Sequence, residues 1–311
     1  MFRDSRGLDA ILNRKRPTAW QLFMSNPIIF LAQKIWSSRA HNIWTRTAIR
    51  DESAPPTITF VCISDTHNGQ PDVPDGDVLI HAGDLTQSGS GQELQATIDW
   101  LNTLPHRHKI VIAGNHDLVL DSAFVHVNKD EARRRDTIQW GNVVYLQDHS
   151  VTLDVNGRSI KVFGSPWTPR HGNWAFQYPR TEDIWRERMP SDVDVLITHG
   201  PPRGHLDLNS GCLSLLRELW RLDKKPRLHV FGHIHEGHGQ EWVEFDGLQA
   251  AYEYTVKSNG GVFRLARVLY EYLRTCLRSQ QSSSSTTILV NAALAGGLRD
   301  KINKKAVVVH I

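Results

Sequence analysis

The stretch that most constrains the fold is residues 60–67, an apolar segment that stops abruptly at an Asp-x-His pair. Its first four residues are of the type found in a buried strand. On extended backbone, side chains two residues apart point to one face, so Asp65 and His67 are expected to face the same way. A carboxylate and an imidazole at the end of a buried strand predict half of a metal site, and an ordinary polar loop is the alternative.

Further apolar segments end in residues of the same kind, which makes the metal site the better interpretation. These segments are residues 77–82, 109–113, 193–198 and 228–231. The polar residues that follow them are Asp84, Asn115, His116, His199, His233 and His235. Residues 93–104 have helical spacing and lie between two of these strands. This alternation of strand and helix predicts an α/β fold with its site at the carboxyl ends of the strands.

The middle of the chain has shorter segments with better alternation, at residues 143–146, 151–155 and 160–163. Asn156-Gly157 between the last two is a hairpin signal. We therefore expect this part to form a second, more antiparallel sheet.

Two segments flank or interrupt this pattern, so we divide the chain into an N-terminal appendage (1–50) and a main domain (57–311) interrupted at 251–285. In the appendage, Asn26-Pro27 predicts the start of a helix. Residues 262–278 have the spacing of an amphipathic helix with a basic opposite side, and a Ser-rich linker follows. Either segment could dock on the body or form a basic amphipathic anchor on an anionic membrane.

Charge and cysteine content limit the classes of partner. The chain of 311 residues has a net charge of +3, and residues 1–50 alone hold nine Lys or Arg against two Asp or Glu. The remainder is mildly acidic without an interleaved basic and aromatic stripe, so we expect no nucleic-acid binding. Three separated cysteines form no disulfide or zinc pattern, and no run of 18 apolar residues occurs. These features predict a cytoplasmic protein that could be membrane-associated.

The ordered motifs D-x-H, G-D, G-N-H-D, H-G and G-H-x-H resemble those of the calcineurin-like metallophosphoesterase superfamily. The blocks at residues 65–68, 164–167 and 199–202 are most similar to its metallophosphoesterase-domain-containing branch. The resemblance covers residues 57–248 and the C-terminal end, and leaves out the appendage and the insertion. It implies a four-layer α/β sandwich, with two mixed β-sheets flanked by helices and two metal ions between the loops.

The resemblance also implies a role for each motif residue. The first metal takes Asp65, His67 and His235, the second takes Asn115, His199 and His233, and Asp84 bridges both. Imidazole and carboxylate ligands without thiolate suit Mn, Fe or Zn. Two ions ~3.5–4 Å apart neutralise a phosphoester and lower the pKa of a bridging water, so that hydroxide attacks phosphorus.

Residues beside the metal ligands are candidates for substrate contact. The resemblance implies that His116 faces the substrate, where it stabilises the phosphoryl oxygens or protonates the leaving group. Asn115 and His205 are the other candidates for substrate binding. Asp117 is either a partner of His116 or a turn-capping residue.

The sequence departs from the phosphoprotein phosphatase pattern, which continues Gly-Asp with x-x-Asp-Arg-Gly. Gln87 stands where that Asp would pair with the catalytic histidine, and Ser88 stands where that Arg would clamp a phosphomonoester. This favours a phosphodiester, and the branch is associated with 3′,5′-cyclic nucleotides. The alternatives are a broad phosphomonoesterase and a low-activity metal-binding scaffold. Relatives that lose activity replace one histidine of the G-H-x-H motif, whereas this sequence has both His233 and His235, which disfavours the scaffold.

Overall fold

The structure, a computed structural model, describes residues 18–47, 57–127, 129–277, 286–297 and 300–311. The helices are α1 (Ala19–Ser25), α2 (Pro27–Thr47), α3 (Gly91–Thr103), α4 (Ser122–Val127), α5 (Lys129–Asp136), α6 (Trp185–Arg188), α7 (Leu213–Arg221), α8 (Gly247–Lys257) and α9 (Val262–Leu277). The strands are β1 (Thr59–Ile63), β2 (Val78–His81), β3 (His108–Val111), β4 (Val143–Tyr145), β5 (His149–Val155), β6 (Arg158–Ser165), β7 (Thr168–Pro169), β8 (Gln177–Tyr178), β9 (Val195–Thr198), β10 (Leu228–Phe231), β11 (Gly239–Glu244), β12 (Thr286–Asn291), β13 (Ala295–Gly296), β14 (Lys301–Ile302) and β15 (Val307–His310).

The first sheet has the strand order β15-β1-β2-β3-β4, in which β1 to β4 are parallel and β15 is antiparallel. Strands β1 and β2 are mostly apolar and almost fully buried, as expected for strands covered on both faces. Ile63 lies opposite His81, and His81 lies opposite Val111. The three strands therefore end at the same level, and the polar residues that follow them emerge side by side.

The second sheet has the order β11-β12-β10-β9-β6-β5. The hairpin of β5 and β6 is antiparallel and turns at Asn156-Gly157, as predicted. The pairs β6–β9, β9–β10 and β10–β12 are parallel. The expected antiparallel character therefore holds for the hairpin and is wrong for these three pairs. Strand β4, which the sequence placed in the second sheet, instead pairs with β3 in the first sheet. The alternation that suggested antiparallel pairing reflects its position as a half-exposed edge strand. Two mixed sheets flanked by helices confirm the predicted fold class.

Helix α3 packs against the first sheet through the spacing that predicted it. Leu94, Ile98 and Leu101 are buried in one cluster with Ile63. Ser90 caps the helix by accepting a hydrogen bond from the backbone N–H of Glu93. Helix α3 thus covers the sheet next to the strand ends, and its N-terminus is held by the Ser90 cap.

The chain divides into two compact units. One comprises Pro55–Glu241 with Thr287–Ile311 and contains the first sheet. The other comprises Met1–Ala54 with Trp242–Thr286. We predicted that the N-terminal segment and the insertion are separate appendages, whereas the described parts of both lie in the same unit. Residues 1–17, 48–56 and 278–285, which include the whole Ser-rich linker, lie outside the described residues.

The second unit is helical and has a small core of its own. This core is formed by Ala32 of α2, Leu248 and Ala251 of α8, and Val268 of α9. The indole of Trp36 stacks on Tyr252 at 4.8 Å and donates a hydrogen bond of 2.6 Å to Gln249 Oε1. The backbone N–H of Ile29 donates to Asn26 Oδ1, which agrees with the predicted cap of α2. In the described part of the chain, no helix has both the length and the apolar content to cross a bilayer.

Candidate metal centre

Turns at the carboxyl ends of five strands bring the predicted ligands together. The ligand atoms of Asp65, His67 and His235 all lie within 4.8 Å of one another, and so do those of Asp84, His199 and His233. We call these groups the first and second clusters. His67, Asp84 and His116 satisfy the same limit and link them. These groups bring together residues that the sequence predicted as ligands, and their roles as ligands stay a prediction.

The first cluster directs nitrogen lone pairs at one another. His67 Nδ1 lies 3.3 Å from the carbonyl oxygen of Thr86, which can only accept a hydrogen bond, so the proton belongs on Nδ1. His67 Nε2 then faces His235 Nε2 at 3.5 Å. His235 Nε2 is also 3.2 Å from Asp65 Oδ1. Facing acceptors repel each other unless a cation or a proton lies between them, so this arrangement fits a metal ion.

The second cluster has the same property. His199 Nδ1 lies 2.8 Å from the carbonyl oxygen of Ala82 and therefore donates to it, so a metal ion would take the place of the other ring proton at Nε2. His199 Nε2 lies 3.3 Å from Asp84 Oδ2 and 3.1 Å from Asn115 Oδ1. Three electron-pair donors therefore converge, and the nitrogen and oxygen donor set is one that Mn, Fe and Zn accept.

Asp84 lies between the clusters. Its Oδ2 atom is 3.3 Å from His199 Nε2 of the second cluster and 3.9 Å from His67 Nε2 of the first. Its Oδ1 atom accepts a hydrogen bond of 2.8 Å from the backbone N–H of His116. One carboxylate thus faces both groups of ligands, as a bridging ligand would.

The ligands are held by tight turns and not by extended backbone. Asp65, His67, Asp84 and His233 all have positive φ angles, between 46° and 66°. The expectation that Asp65 and His67 share a face of an extended strand is therefore wrong. The left-handed conformation is costly for residues with a side chain and is typical of functional turns. The turns support each other, since the backbone N–H of His67 donates to the carbonyl of Asp84.

Glycines precede ligands because the ligands approach the backbone closely. A Cβ atom on Gly232 would collide with Asp65 Oδ2 and Ser64 Oγ. A Cβ atom on Gly114 would collide with Asp84 Oδ1. The Gly-His and Gly-Asn pairs of the sequence motifs therefore have a steric origin.

Asp117 ties two of the turns together. Its carboxylate accepts hydrogen bonds from the backbone N–H groups of Gly114, Leu85 and Thr86, at 2.7, 3.2 and 2.9 Å, and from the Thr86 hydroxyl at 2.7 Å. Burial, together with the nearby charge of Asp84, raises the pKa of Asp117 to about 6. Of the two roles considered from sequence, these contacts support the turn-capping one.

The electrostatics of the centre favour ionised carboxylates. Burial opposes the charge of Asp84, but His199 outweighs it and holds the pKa of Asp84 well below its usual value. Burial likewise opposes the charge of His199, but Asp84 raises its pKa to about 9. Burial lowers the pKa of His233 to about 3, so this imidazole is neutral and its lone pair is available to a metal.

His116 stands beside the clusters with one nitrogen committed. His116 Nδ1 lies 2.8 Å from the carbonyl oxygen of Gln87 and therefore donates to it. Its ring stacks on the indole of Trp174 and meets His67 edge-on at 4.7 Å. The main chain of Gln87 thus holds the histidine in place of the aspartate of the phosphoprotein phosphatase pattern, and substrate contact by His116 stays a prediction.

Ser88 is also engaged. Its hydroxyl donates to Glu93 Oε2 at 2.7 Å, and its backbone N–H donates to the same atom at 3.1 Å. Asn68 Nδ2 donates to Glu93 Oε1 at 2.8 Å. A carboxylate therefore lies where the phosphoprotein phosphatase pattern would bring an arginine.

The sequence did not identify His171 and assigned no role to Trp174. The ring of His171 is 4.6 Å from that of His233, and His171 Nδ1 is 2.8 Å from Gln177 Nε2. Both residues lie in a loop between β7 and β8 and follow no apolar run. The aromatic residues of this loop were the one feature of the sequence that drew attention to it, and they do not indicate which residues the loop contacts.

His205 has a buried position. Its Nδ1 atom lies 3.0 Å from Glu241 Oε1. Asp207 accepts hydrogen bonds of 2.9 Å from the backbone N–H groups of Gly204 and Gly211 and so shapes the loop around it. These contacts are structural ones, and substrate binding by His205 stays a prediction.

Two mixed sheets whose parallel strands end at clustered histidines and aspartates define a metallophosphoesterase type of architecture. Residues 58–237 match the model of the calcineurin-like phosphoesterase family, and the chain belongs to this family. The resemblance inferred from the motifs is thereby confirmed.

The chain is also similar to individual proteins, one of which is named for a metallophosphoesterase domain. The chain is 42% identical over 214 residues to metallophosphoesterase domain-containing protein 1 of Homo sapiens, covering 61% of the chain and 64% of that protein. It is 39% identical over 229 residues to a UPF0046 protein of Caenorhabditis elegans, covering 66% and 76%. It is also 43% identical over 307 residues to a protein of Emericella nidulans named probable rhamnogalacturonate lyase C. That match covers 98% of the chain but only 29% of the fungal protein.

Proposed function

We propose that the chain is a binuclear metal-dependent phosphodiesterase. The observation that carries the proposal is the position of Asp84 Oδ2 between His199 Nε2 and His67 Nε2, at 3.3 and 3.9 Å. The first metal is assigned to Asp65, His67, His235 and Asp84, and the second to Asn115, His199, His233 and Asp84. Two bound ions supply positive charge to a phosphoester and lower the pKa of a water molecule.

His116 is the group assigned to proton transfer. Because its Nδ1 atom donates to the Gln87 carbonyl, any proton exchanged with a substrate is held at Nε2. The stacked indole of Trp174 and the hydrogen bond from the backbone N–H of His116 to Asp84 fix the ring and its turn. From there His116 can donate to a phosphoryl oxygen or to the leaving alkoxide, an effect typically worth ~10²–10⁴-fold.

The preference for a diester follows from charge at the edge of the centre. A phosphomonoester dianion is best recognised by an arginine fork. The position expected for that arginine is Ser88, which bonds to the Glu93 carboxylate. A carboxylate repels a dianion more than a monoanion, so a diester is favoured. The partly exposed indole of Trp174 offers a flat apolar surface to a nucleobase, which supports 3′,5′-cyclic nucleotides as candidate substrates.

The test compares esters that differ in charge. Purified protein loaded with Mn²⁺ is expected to cleave bis-p-nitrophenyl phosphate with a higher kcat/KM than p-nitrophenyl phosphate. A panel of 3′,5′-cyclic nucleotides then tests the substrate class. Asp84→Ala, purified in the same way, controls for contaminating phosphatases because it should cleave neither ester.

A matched variant separates charge from other causes. Ser88→Arg should shift the ratio of kcat/KM toward the monoester. Equal or reversed rates for the unaltered protein would support a broad phosphomonoesterase. Stoichiometric metal without turnover of either ester would support a metal-binding scaffold.

A further inference from the structure

Helix α9 has an apolar side that faces outward. The sequence predicted an amphipathic helix with one apolar side, whereas the structure shows two apolar sides. Leu265, Val268 and Tyr272 pack in the core of the helical unit. A second set of large apolar side chains is exposed, and we call it the outer face of α9: Val262 (71%), Phe263 (93%), Leu269 (46%), Tyr270 (62%), Leu273 (51%) and Leu277 (85%).

These side chains form one continuous surface. One row consists of Val262, Leu269 and Leu273, which are spaced by seven and then four residues. The other row consists of Phe263, Tyr270 and Leu277, which are each seven residues apart. Both spacings return to the same side of an α-helix, and the two rows are adjacent. Single exposed apolar residues need no explanation, but a contiguous apolar patch marks an interaction site.

The charges of α9 are sorted by sign around this surface. Arg267 and Arg274 are exposed beside it, seven residues apart. Glu271, the one acidic residue in the α9 sequence, faces inward and pairs with Arg274 at 3.1 Å. In the sequence, residues 1–50 hold nine Lys or Arg against two Asp or Glu. A partner that fits must therefore offer an apolar layer together with negative charge.

We propose that the outer face of α9 binds the surface of an anionic lipid bilayer. The apolar side chains enter the boundary between headgroups and acyl chains, and Arg267 reaches the lipid phosphates. Helices that bind in this way have basic residues beside a wide apolar side that includes aromatic residues. This gives a structural basis to the membrane contact expected for residues 1–50 and 262–278, and it is independent of the proposed catalytic activity.

Helix α1 adds to the same surface region. Trp20 and Met24 are largely exposed on α1. Asn26 Nδ2 donates to the carbonyl of Asn259 at 3.2 Å, which places the turn after α1 beside the turn before α9. Tryptophan and tyrosine are the residues enriched at the membrane interface, so Trp20 and Tyr270 fit this partner.

The experiment measures binding of the full chain to vesicles by flotation. Wild-type protein should bind mixed phosphatidylcholine–phosphatidylserine vesicles and bind phosphatidylcholine vesicles more weakly. Phe263→Glu should reduce the partition coefficient at least about tenfold, because it removes an aromatic group that inserts into the membrane and adds a charge that the anionic lipid repels. Arg267→Gln should reduce it about fivefold on anionic vesicles only.

The control variant carries a glutamate at an exposed site outside α9. Val308→Glu makes the same type of change at an exposed site of the other unit and should bind like wild type. Thermal unfolding checks that every variant is folded. Absence of vesicle binding by wild type, or equal binding by Phe263→Glu, would overturn the proposal. A wild-type dimer that Phe263→Glu dissociates, without lipid binding, would assign the outer face to a second copy of the chain.

Discussion

The imidazole of His116 stacks on the indole of Trp174, with ring centroids 4.3 Å apart and planes inclined by 27°. The opposite constraint on the ring is the hydrogen bond from its Nδ1 atom to the Gln87 carbonyl. His116 follows β3, whereas Trp174 lies in the loop between β7 and β8. The orientation of the proposed proton donor therefore depends on a residue that no motif includes.

Trp174→Ala is expected to lower kcat for a diester about tenfold, part of the ~10²–10⁴-fold contribution of a general acid, because the His116 ring loses its support. Metal content should not change. Trp174→Phe preserves a stacking surface and should restore most of kcat. Steady-state kinetics and metal analysis check this, and equal kcat values for the Ala and Phe variants would argue against positioning by stacking.

His116→Ala should retain both metals and lose ~10²–10⁴-fold in kcat, because it removes proton transfer without removing an assigned ligand. Metal stoichiometry by mass spectrometry and kcat are measured on the same preparation. The group His67, Asp84 and His116 also has metal-ligand spacing. Loss of one metal in this variant would therefore reassign His116 as a ligand.

Asp84→Ala should abolish binding of both metals, since its carboxylate faces both clusters. Asp300→Ala is the matched control at a supporting carboxylate, because Asp300 Oδ1 lies 3.4 Å from His235 Nδ1. Removing such a support typically costs about 10–100-fold in metal affinity, and we expect this at the first site alone. Titration calorimetry measures both variants, and retention of one tight site in Asp84→Ala would contradict the bridging role.

Asp117→Ala should destabilise the fold by about 3 kcal/mol or more, because the buried N–H groups of Gly114, Leu85 and Thr86 lose their acceptor at ~1–3 kcal/mol each. Asp117→Asn keeps an acceptor oxygen and should lose less. Denaturant unfolding of both variants gives the two free energies. Similar values would show that the carboxylate does not act through these hydrogen bonds.

Stability should fall with acid partly through His229. This imidazole is buried, its Nε2 atom lies 2.8 Å from Thr198 Oγ1, and its Nδ1 atom has no hydrogen-bond partner among the described residues. Burial lowers its pKa to about 3. The unfolded chain, with a pKa of about 6.5, therefore binds a proton that the folded chain does not between pH 6.5 and 3.

This difference lowers the free energy of unfolding as the pH falls, by about 2 kcal/mol at pH 5 relative to neutral pH. In His229→Gln the stability should depend less on pH by that amount. Denaturant unfolding at several pH values between 7.5 and 5 checks the prediction. An unchanged pH dependence would mean that His229 does not titrate in this range.

The sequence by itself determined the strands that end at the site and the ligand types that follow them. Short apolar runs such as residues 60–63, and the polar residues that follow them, are local patterns that depend on neighbours in the chain. Asn26 at the start of α2 and the Asn156-Gly157 turn were predictable for the same reason. Because parallel strands end together, this local information also indicated that Asp65 and Asp84 would meet.

Only the tertiary structure decided how these residues meet and what surrounds them. The positive φ angle of Asp65 is maintained by contacts with the turn after β2, and the indole on His116 comes from a distant loop. Likewise, the sequence of α9 contains two apolar sides, and packing against α2 and α8 determined which one is buried. Such choices depend on the free energy of contacts between residues far apart in the chain, which no local spacing specifies.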